Sequence, residues 1–72
     1  MNLSKIETKT LLVAVKHGFT FRNDSHFNNF QQGNRTIKKL IDKGLLLKVD
    51  NGIGVEYQPT EEALSLKKYN II

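Results

Sequence analysis

The sequence predicts one α+β domain spanning residues 1–72, in the order helix, strand, short helix, helix, β-hairpin, helix. Three features carry this expectation. Ser4-Lys5-Ile6-Glu7 has the spacing of a capping box, in which a serine and a glutamate three residues on cap each other's amides at a helix start. Ile37, Leu40 and Ile41 recur at helical spacing just before Gly44. Asp50-Asn51-Gly52 separates two strand-like runs as a hairpin turn does.

The first helix is expected over residues 5–17. Leu11 to Val15 is a continuous apolar run that periodicity alone would also allow as a buried strand. The capping box before it and Gly18 after it decide for a helix, and His17 suits the negative end of the helix dipole. Residues 19–22 alternate apolar and polar, which reads as a short strand. Residues 23–33 are polar except for Phe27 and Phe30. A short helix to about Gln31, capped by Asp24 or Ser25, would place both phenylalanines on one buried face. An irregular loop pinned by the two rings is the alternative. Another is a single helix running through Gly33, at a glycine penalty of about 1 kcal/mol.

The next helix is expected over residues 35–43. Asn34 is its expected cap, and Ile37, Leu40 and Ile41 form its inward stripe. Gly44 falls where a left-handed terminating residue belongs, and Leu45 where a Schellman motif sets its apolar contact, onto Leu40. Residues 45–49 and 53–58 are the two hairpin strands, with Gly54 at a bulge or twist. Pro59, lacking an amide hydrogen, ends the second strand. Thr60 caps the last helix, with Glu61 and Glu62 in its first turn and Ala63, Leu64, Leu66 and Tyr69 supplying its packing.

Size and charge narrow the function. A chain of 72 residues buries only about 60% of its unfolded surface, so its core is thin. It has no cysteine for a disulfide or a thiolate zinc site, and His17 and His26 lack acidic partners at ligand spacing, so no metal and no cofactor is expected. No serine, cysteine or paired carboxylate is arranged with either histidine, and no glycine-rich phosphate loop is present, so catalysis is not expected. His17 reads as a helix-terminal residue and His26 as a polar surface one. Eleven basic residues against seven acidic ones, net charge +4, with a pI near 9.6, favour a polyanionic partner. No apolar run approaches a membrane span, and no signal peptide opens the chain, so a cytoplasmic location is expected, the host's cytoplasm if a phage encodes it. The wealth of Lys, Asn and Ile suggests an A+T-rich genome.

The segment Thr36-Ile37-Lys38-Lys39-Leu40-Ile41-Asp42-Lys43-Gly44-Leu45-Leu46 resembles the end of a recognition helix and the start of a wing in the winged helix-turn-helix superfamily, in MarR-like and related bacterial or phage regulators. Tyr57-Gln58-Pro59-Thr60-Glu61-Glu62-Ala63 is similar to that family's step from second wing strand to final helix. The likeness covers residues 34–66. Two departures stand out: the segment in the place of the first helix of the helix-turn-helix is rich in Asn and Gln, and the short wing has no arginine at its tip.

The resemblance implies double-stranded DNA as partner, with helix 35–43 in the major groove. Arg35 is then the best base-reading candidate, because its fork can bond guanine O6 and N7 together. Asn34 and Thr36 are further candidates, although Asn34 also serves as the cap. Lys38, Lys39 and Lys43 would meet phosphates, which position rather than specify. Asp42 would face away from DNA or steady a lysine. Lys48 and Asn51 on the wing would reach a neighbouring phosphate or the minor groove, Asn51 being equally explained by its turn. Ser25, His26, Asn28, Asn29, Gln31 and Gln32 are either phosphate contacts or plain loop residues. Phe19, Phe21, Phe27 and Phe30 are expected inside the core rather than stacked on bases. Lys67 and Lys68 read as solvated. Tyr69 to Ile72 would either join a second copy in a homodimer or cap the chain's own core. The competing function is a protein-interaction module on the same scaffold, such as a phage protein docking on a host protein. RNA binding is a third option without a visible motif.

Overall fold

The computed structural model describes residues 2–68. Three helices and one antiparallel hairpin follow in the order α1 (Lys5–His17), α2 (Phe30–Asp42), β1 (Leu46–Asp50), β2 (Val55–Pro59) and α3 (Glu61–Lys68). The chain is thus a small α+β fold. The expectations placed on Tyr69 to Ile72 lie outside the described residues.

α1 begins on the capping box. The Glu7 amide donates to Ser4 Oγ at 3.2 Å, and the Ser4 amide donates to Glu7 Oε1 at 2.9 Å. It ends at Gly18, whose φ of 89° turns the chain out of the helix while its amide donates to the Ala14 carbonyl at 2.7 Å. Its inward stripe is Glu7, Thr10, Leu11 and Ala14, at helical spacing. Val13 and Val15 of the apolar run are only half-buried.

Residues 19–22 do not form a strand. They contribute a single bridge, Thr20 to Tyr57, closed by two backbone hydrogen bonds of 2.8 Å. The chain then turns at once, the Asp24 amide donating to the Phe21 carbonyl at 3.1 Å. The bridge also sets which side chains face inward. Thr20 is fully buried, its hydroxyl donating to Asp24 Oδ2 at 2.9 Å. Phe19 is left exposed, its ring stacked on Phe21 at 6.2 Å between centroids.

Between Asp24 and Asn29 there is no helix. A single turn, with the Phe27 amide on the Asp24 carbonyl at 3.1 Å, leads to α2. Its cap is Asn29 and not Asn34: Asn29 Oδ1 accepts from the Gln32 amide at 2.8 Å, and Gln32 Oε1 accepts from the Asn28 amide at 2.8 Å. Asn34 sits on the exposed side inside the helix. α2 therefore passes through Gly33, and the reason is steric. A Cβ at Gly33 would overlap the Arg22 carbonyl oxygen and press on Phe27 Cδ2 at 3.0 Å. The 22–29 segment lies directly on the helix there. Phe27 is buried in consequence and Phe30 is 55% exposed, so the two rings share no face.

The other end of α2 is a Schellman motif. Gly44 has φ 76°, its amide donates to the Ile41 carbonyl at 2.9 Å, and the Leu45 amide reaches the Leu40 carbonyl at 2.9 Å. The inward stripe is Gly33, Thr36, Ile37 and Leu40; Ile41 lies at its edge, 38% exposed.

β1 and β2 pair in the register Leu46 to Pro59, Lys48 to Tyr57 and Asp50 to Val55. The loop therefore holds residues 51–54, and Ile53 and Gly54 belong to it rather than to the strand. The turn is wider than two residues because Asn51 Oδ1 captures two amides, Ile53 at 3.1 Å and Gly54 at 3.0 Å, while Asp50 Oδ1 holds Gly52 at 3.0 Å. Thr60 starts α3, its Oγ1 accepting from the Ala63 amide at 3.3 Å and donating to the Gly44 carbonyl at 2.7 Å. One hydroxyl thus ties the end of α2 to the start of α3. Leu11, Ala14, Phe27, Ile37, Leu40, Leu45, Leu46, Tyr57 and Ala63 make the core, with Leu66 packed against it. Leu64 is 46% exposed and adds little.

Candidate nucleic-acid interface

The outer face of α2 follows from its inner one. With Gly33, Thr36, Ile37 and Leu40 turned inward, helical geometry directs Gln31, Asn34, Arg35, Lys38 and Asp42 outward, with Lys39 on the flank towards α1. All six are exposed. Among the residues expected at a site, this face brings together Asn34, Arg35, Lys38 and Lys39. Three cations share it with one carboxylate, Asp42.

Two expected residues are placed elsewhere. Thr36 is 5% exposed and lies in the inward stripe, one turn from Gly33, which removes it from base contact. Lys43 turns back onto α1, where its Nζ donates to Glu7 Oε2 at 2.7 Å and to the Asn2 carbonyl at 3.2 Å. Asn51 stands at the hairpin tip, but its side chain is already engaged by the loop amides and by Glu56 Oε1 at 3.2 Å.

Lys48 is exposed and directly opposite Tyr57 across the hairpin, so both side chains leave the same sheet face. Arg22 is a functional candidate that the sequence did not reveal. Its guanidinium carbon lies 5.6 Å from the centre of the Tyr57 ring, a cation–π contact. Arg22, Asn34, Ile37, Lys38, Ile41 and Tyr57 line a hollow of about 150 Å³. Nothing local marks Arg22, since its position depends on the long-range bridge between Thr20 and Tyr57. On the other flank of α2, Arg35 and Lys39 border a second hollow of about 240 Å³, shared with Ser4, Ile6 and Glu7 of the α1 start.

The side chains of two ionisable groups are largely buried beside this surface, and both serve the fold. Burial alone would raise the Glu7 pKa. The hydrogen bond from Lys43, two from Ser4 and the lysine charge outweigh it, so the carboxyl is held below its ordinary value. His26 is not a surface residue, its side chain being only 6% exposed. The Thr10 hydroxyl donates to the Ile6 carbonyl at 2.7 Å, so towards His26 Nε2, 2.9 Å away, it accepts. This assigns the proton to Nε2. Nδ1 is left as a buried lone pair without a hydrogen-bond partner, 3.9 Å from Asp24 Oδ2. Burial lowers the His26 pKa, against the pull of Asp24 and with a push from Lys9.

Both shifts weaken the fold in acid. A histidine whose folded pKa lies below its unfolded value contributes fully above about pH 6.5, and stability falls as the pH drops from there towards the folded pKa. Glu7 adds a second loss, beginning near the ordinary carboxylate value and continuing down through its lowered folded pKa. Urea midpoints measured from pH 8 down to about pH 3 should therefore fall in two stages. In His26→Gln the upper stage should vanish; an unchanged upper stage would assign it to another group.

Among the described residues no cluster of three or more His, Cys, Asp or Glu side chains could hold a metal ion. Nor is any described helix long and apolar enough to cross a membrane. No protein-family model, curated protein or solved structure matches the chain. What fold and surface define together is a small α+β protein with one basic, outward-facing helix beside a hairpin.

Proposed function

We propose that this protein binds double-stranded DNA as a small phage or bacterial transcription regulator of winged helix-turn-helix type, laying the outer face of α2 in the major groove. The observation that carries this is the exposure of Arg35, Lys38 and Lys39 on one side of a helix whose other side is core. A helix of this width fits the major groove, and its first turns normally reach the bases. Because α2 starts at Phe30, the groove-facing residues of its first turns are Gln31, Asn34 and Arg35. Arg35 is therefore the base reader, Lys38, Lys39 and Lys48 are the phosphate contacts, and Asn34, on the flank towards Lys38, can donate to either. Turns occupy the place of the first helix of a helix-turn-helix, so no described helix before α2 lies across the backbone there.

Fluorescence anisotropy of a random-sequence duplex, titrated from low to moderate salt, tests this. Three contacts to phosphate predict a slope of about −3 in log K against log salt. Absence of binding at low salt, where the electrostatic contribution is largest, would sink the DNA assignment. A second assignment, docking on a protein, is favoured by the apolar wing tip, where Ile53 is 97% exposed beside Val55 at 40%.

A further inference from the structure

Arg22 belongs neither to α2 nor to the hairpin, yet it faces the gap between them. Its guanidinium rests over the Tyr57 ring, which is itself locked in the core, 1% exposed. Tyr57 is fixed from two sides, by the Thr20 bridge and by its pairing with Lys48. The segment carrying Arg22 is fixed as well, since the Arg22 carbonyl abuts Gly33 of α2. Among the described residues no carboxylate forms an ion pair with Arg22 or with Lys38 across the hollow. The hollow's polar rim is Arg22, Lys38 and the Asn34 side chain, and its floor is Ile37, Ile41 and Tyr57. Lys48 stands beside it, on the same sheet face as Tyr57.

A guanidinium held on an aromatic face keeps its N–H edge free for a planar pair of acceptors. Opposite it are a lysine point charge and an amide, each able to donate. Two cations and an amide N–H donor around a space of about 150 Å³, with no carboxylate in its lining, suit one tetrahedral oxyanion.

We propose that this hollow seats one phosphate oxyanion, supplied by the backbone of the duplex that α2 reads, and that Arg22 is its principal ligand. This rests on the DNA assignment above and adds to it a contact from outside the helix and wing. The seat would fix the register of α2 along the groove, because Arg22 is carried by the core and not by a flexible tip.

The test compares wild type, Arg22→Gln, Arg22→Lys and the α1 surface control Lys16→Gln on the same random duplex, each variant first checked for an unchanged melting profile. Arg22→Gln should weaken binding about five- to tenfold at low salt and reduce the salt slope by about 1, with Arg22→Lys recovering only part, because a point charge replaces the fork. If wild type binds and Arg22→Gln matches Lys16→Gln, the seat is overturned while the DNA assignment stands. If wild type does not bind duplex, the DNA assignment falls, and with it a duplex source for the anion. Titration with inorganic phosphate, read by NMR on the Arg22 Nε–H and Asn34 side-chain amide signals, then decides the seat itself. Saturable shifts at both in wild type, with the Asn34 shift lost in Arg22→Gln, would support a phosphate site fed from another source, and flat signals would overturn it.

Discussion

Gly33→Ala is expected to destabilise the protein by about 2–3 kcal/mol, even though alanine is the better helix former. In an open helix the exchange would gain about 1 kcal/mol. Here the added methyl would meet a backbone carbonyl, that of Arg22, with the Phe27 ring close behind. A side chain could rotate away from such a contact. A carbonyl moves only if the 22–29 segment lifts off α2, exposing Phe27 and straining the Thr20–Tyr57 bridge. Overpacking of this kind costs typically 1–3 kcal/mol, and more where backbone must shift. In a domain of this size a loss of 2–3 kcal/mol lowers the melting temperature by roughly 8–24 °C. Thermal unfolding followed by circular dichroism measures it. A variant as stable as wild type would mean that the helix starts after Gly33 and that the segment does not pack there. The caps give an independent check: Asn29→Ala should cost about 1 kcal/mol and Asn34→Ala almost nothing.

Gly33 also explains which parts of the fold were legible in the sequence. α1, the Schellman end of α2, the hairpin and the α3 cap are written in short-range signals: Ser4 with Glu7, Gly44 with Leu45, Asp50 with Asn51 and Gly52, and Thr60 before two glutamates. The start of α2 is written locally too, in Asn29 and Gln32, but a glycine four residues past the cap looks like a break. Only the Arg22 carbonyl makes that glycine intelligible, and Arg22 is eleven positions away in the chain. The length of the hairpin loop is hidden for a different reason. Asn-Gly allows a two-residue turn, yet the Asn51 carboxamide closes a four-residue loop by bonding the Ile53 and Gly54 amides.

The candidate site divides in the same way. Arg35, Lys38 and Lys39 could be found from the helical period, because an outward face is the complement of an inward one. With Ile37, Leu40 and Ile41 as the stripe, Thr36 flanks the outer face; including Gly33 rotates the buried face and draws Thr36 in. Lys43 looks like its exposed neighbours in the sequence because its partner, Glu7, is on another helix. Arg22 depends on the bridge between Thr20 and Tyr57, which no local pattern announces.

The contrast between Lys43 and the outer face makes the last prediction, since all these cations look alike in the sequence. Arg35→Gln combined with Lys38→Gln should reduce the salt slope of duplex binding by about 1, the share of Lys38, and lower affinity some tenfold to a hundredfold at low salt, with stability nearly unchanged because both side chains are exposed. Lys43→Met should do the reverse. It leaves the Glu7 carboxylate, 7% exposed, without its charged donor, at a cost of about 1–3 kcal/mol in stability, reduced to the extent that Lys43 is itself one-third exposed. Its effect on the salt slope should be small, because its charge is already engaged on the α1 side of the helix. Anisotropy titrations at several salt concentrations, paired with urea unfolding of the same preparations, separate the two effects. Should Lys43→Met change the slope as much as the double variant while leaving the urea midpoint in place, the DNA-facing surface would lie on the α1 flank of α2. The outer face that Arg35 shares with Lys38 would then be a solvated surface.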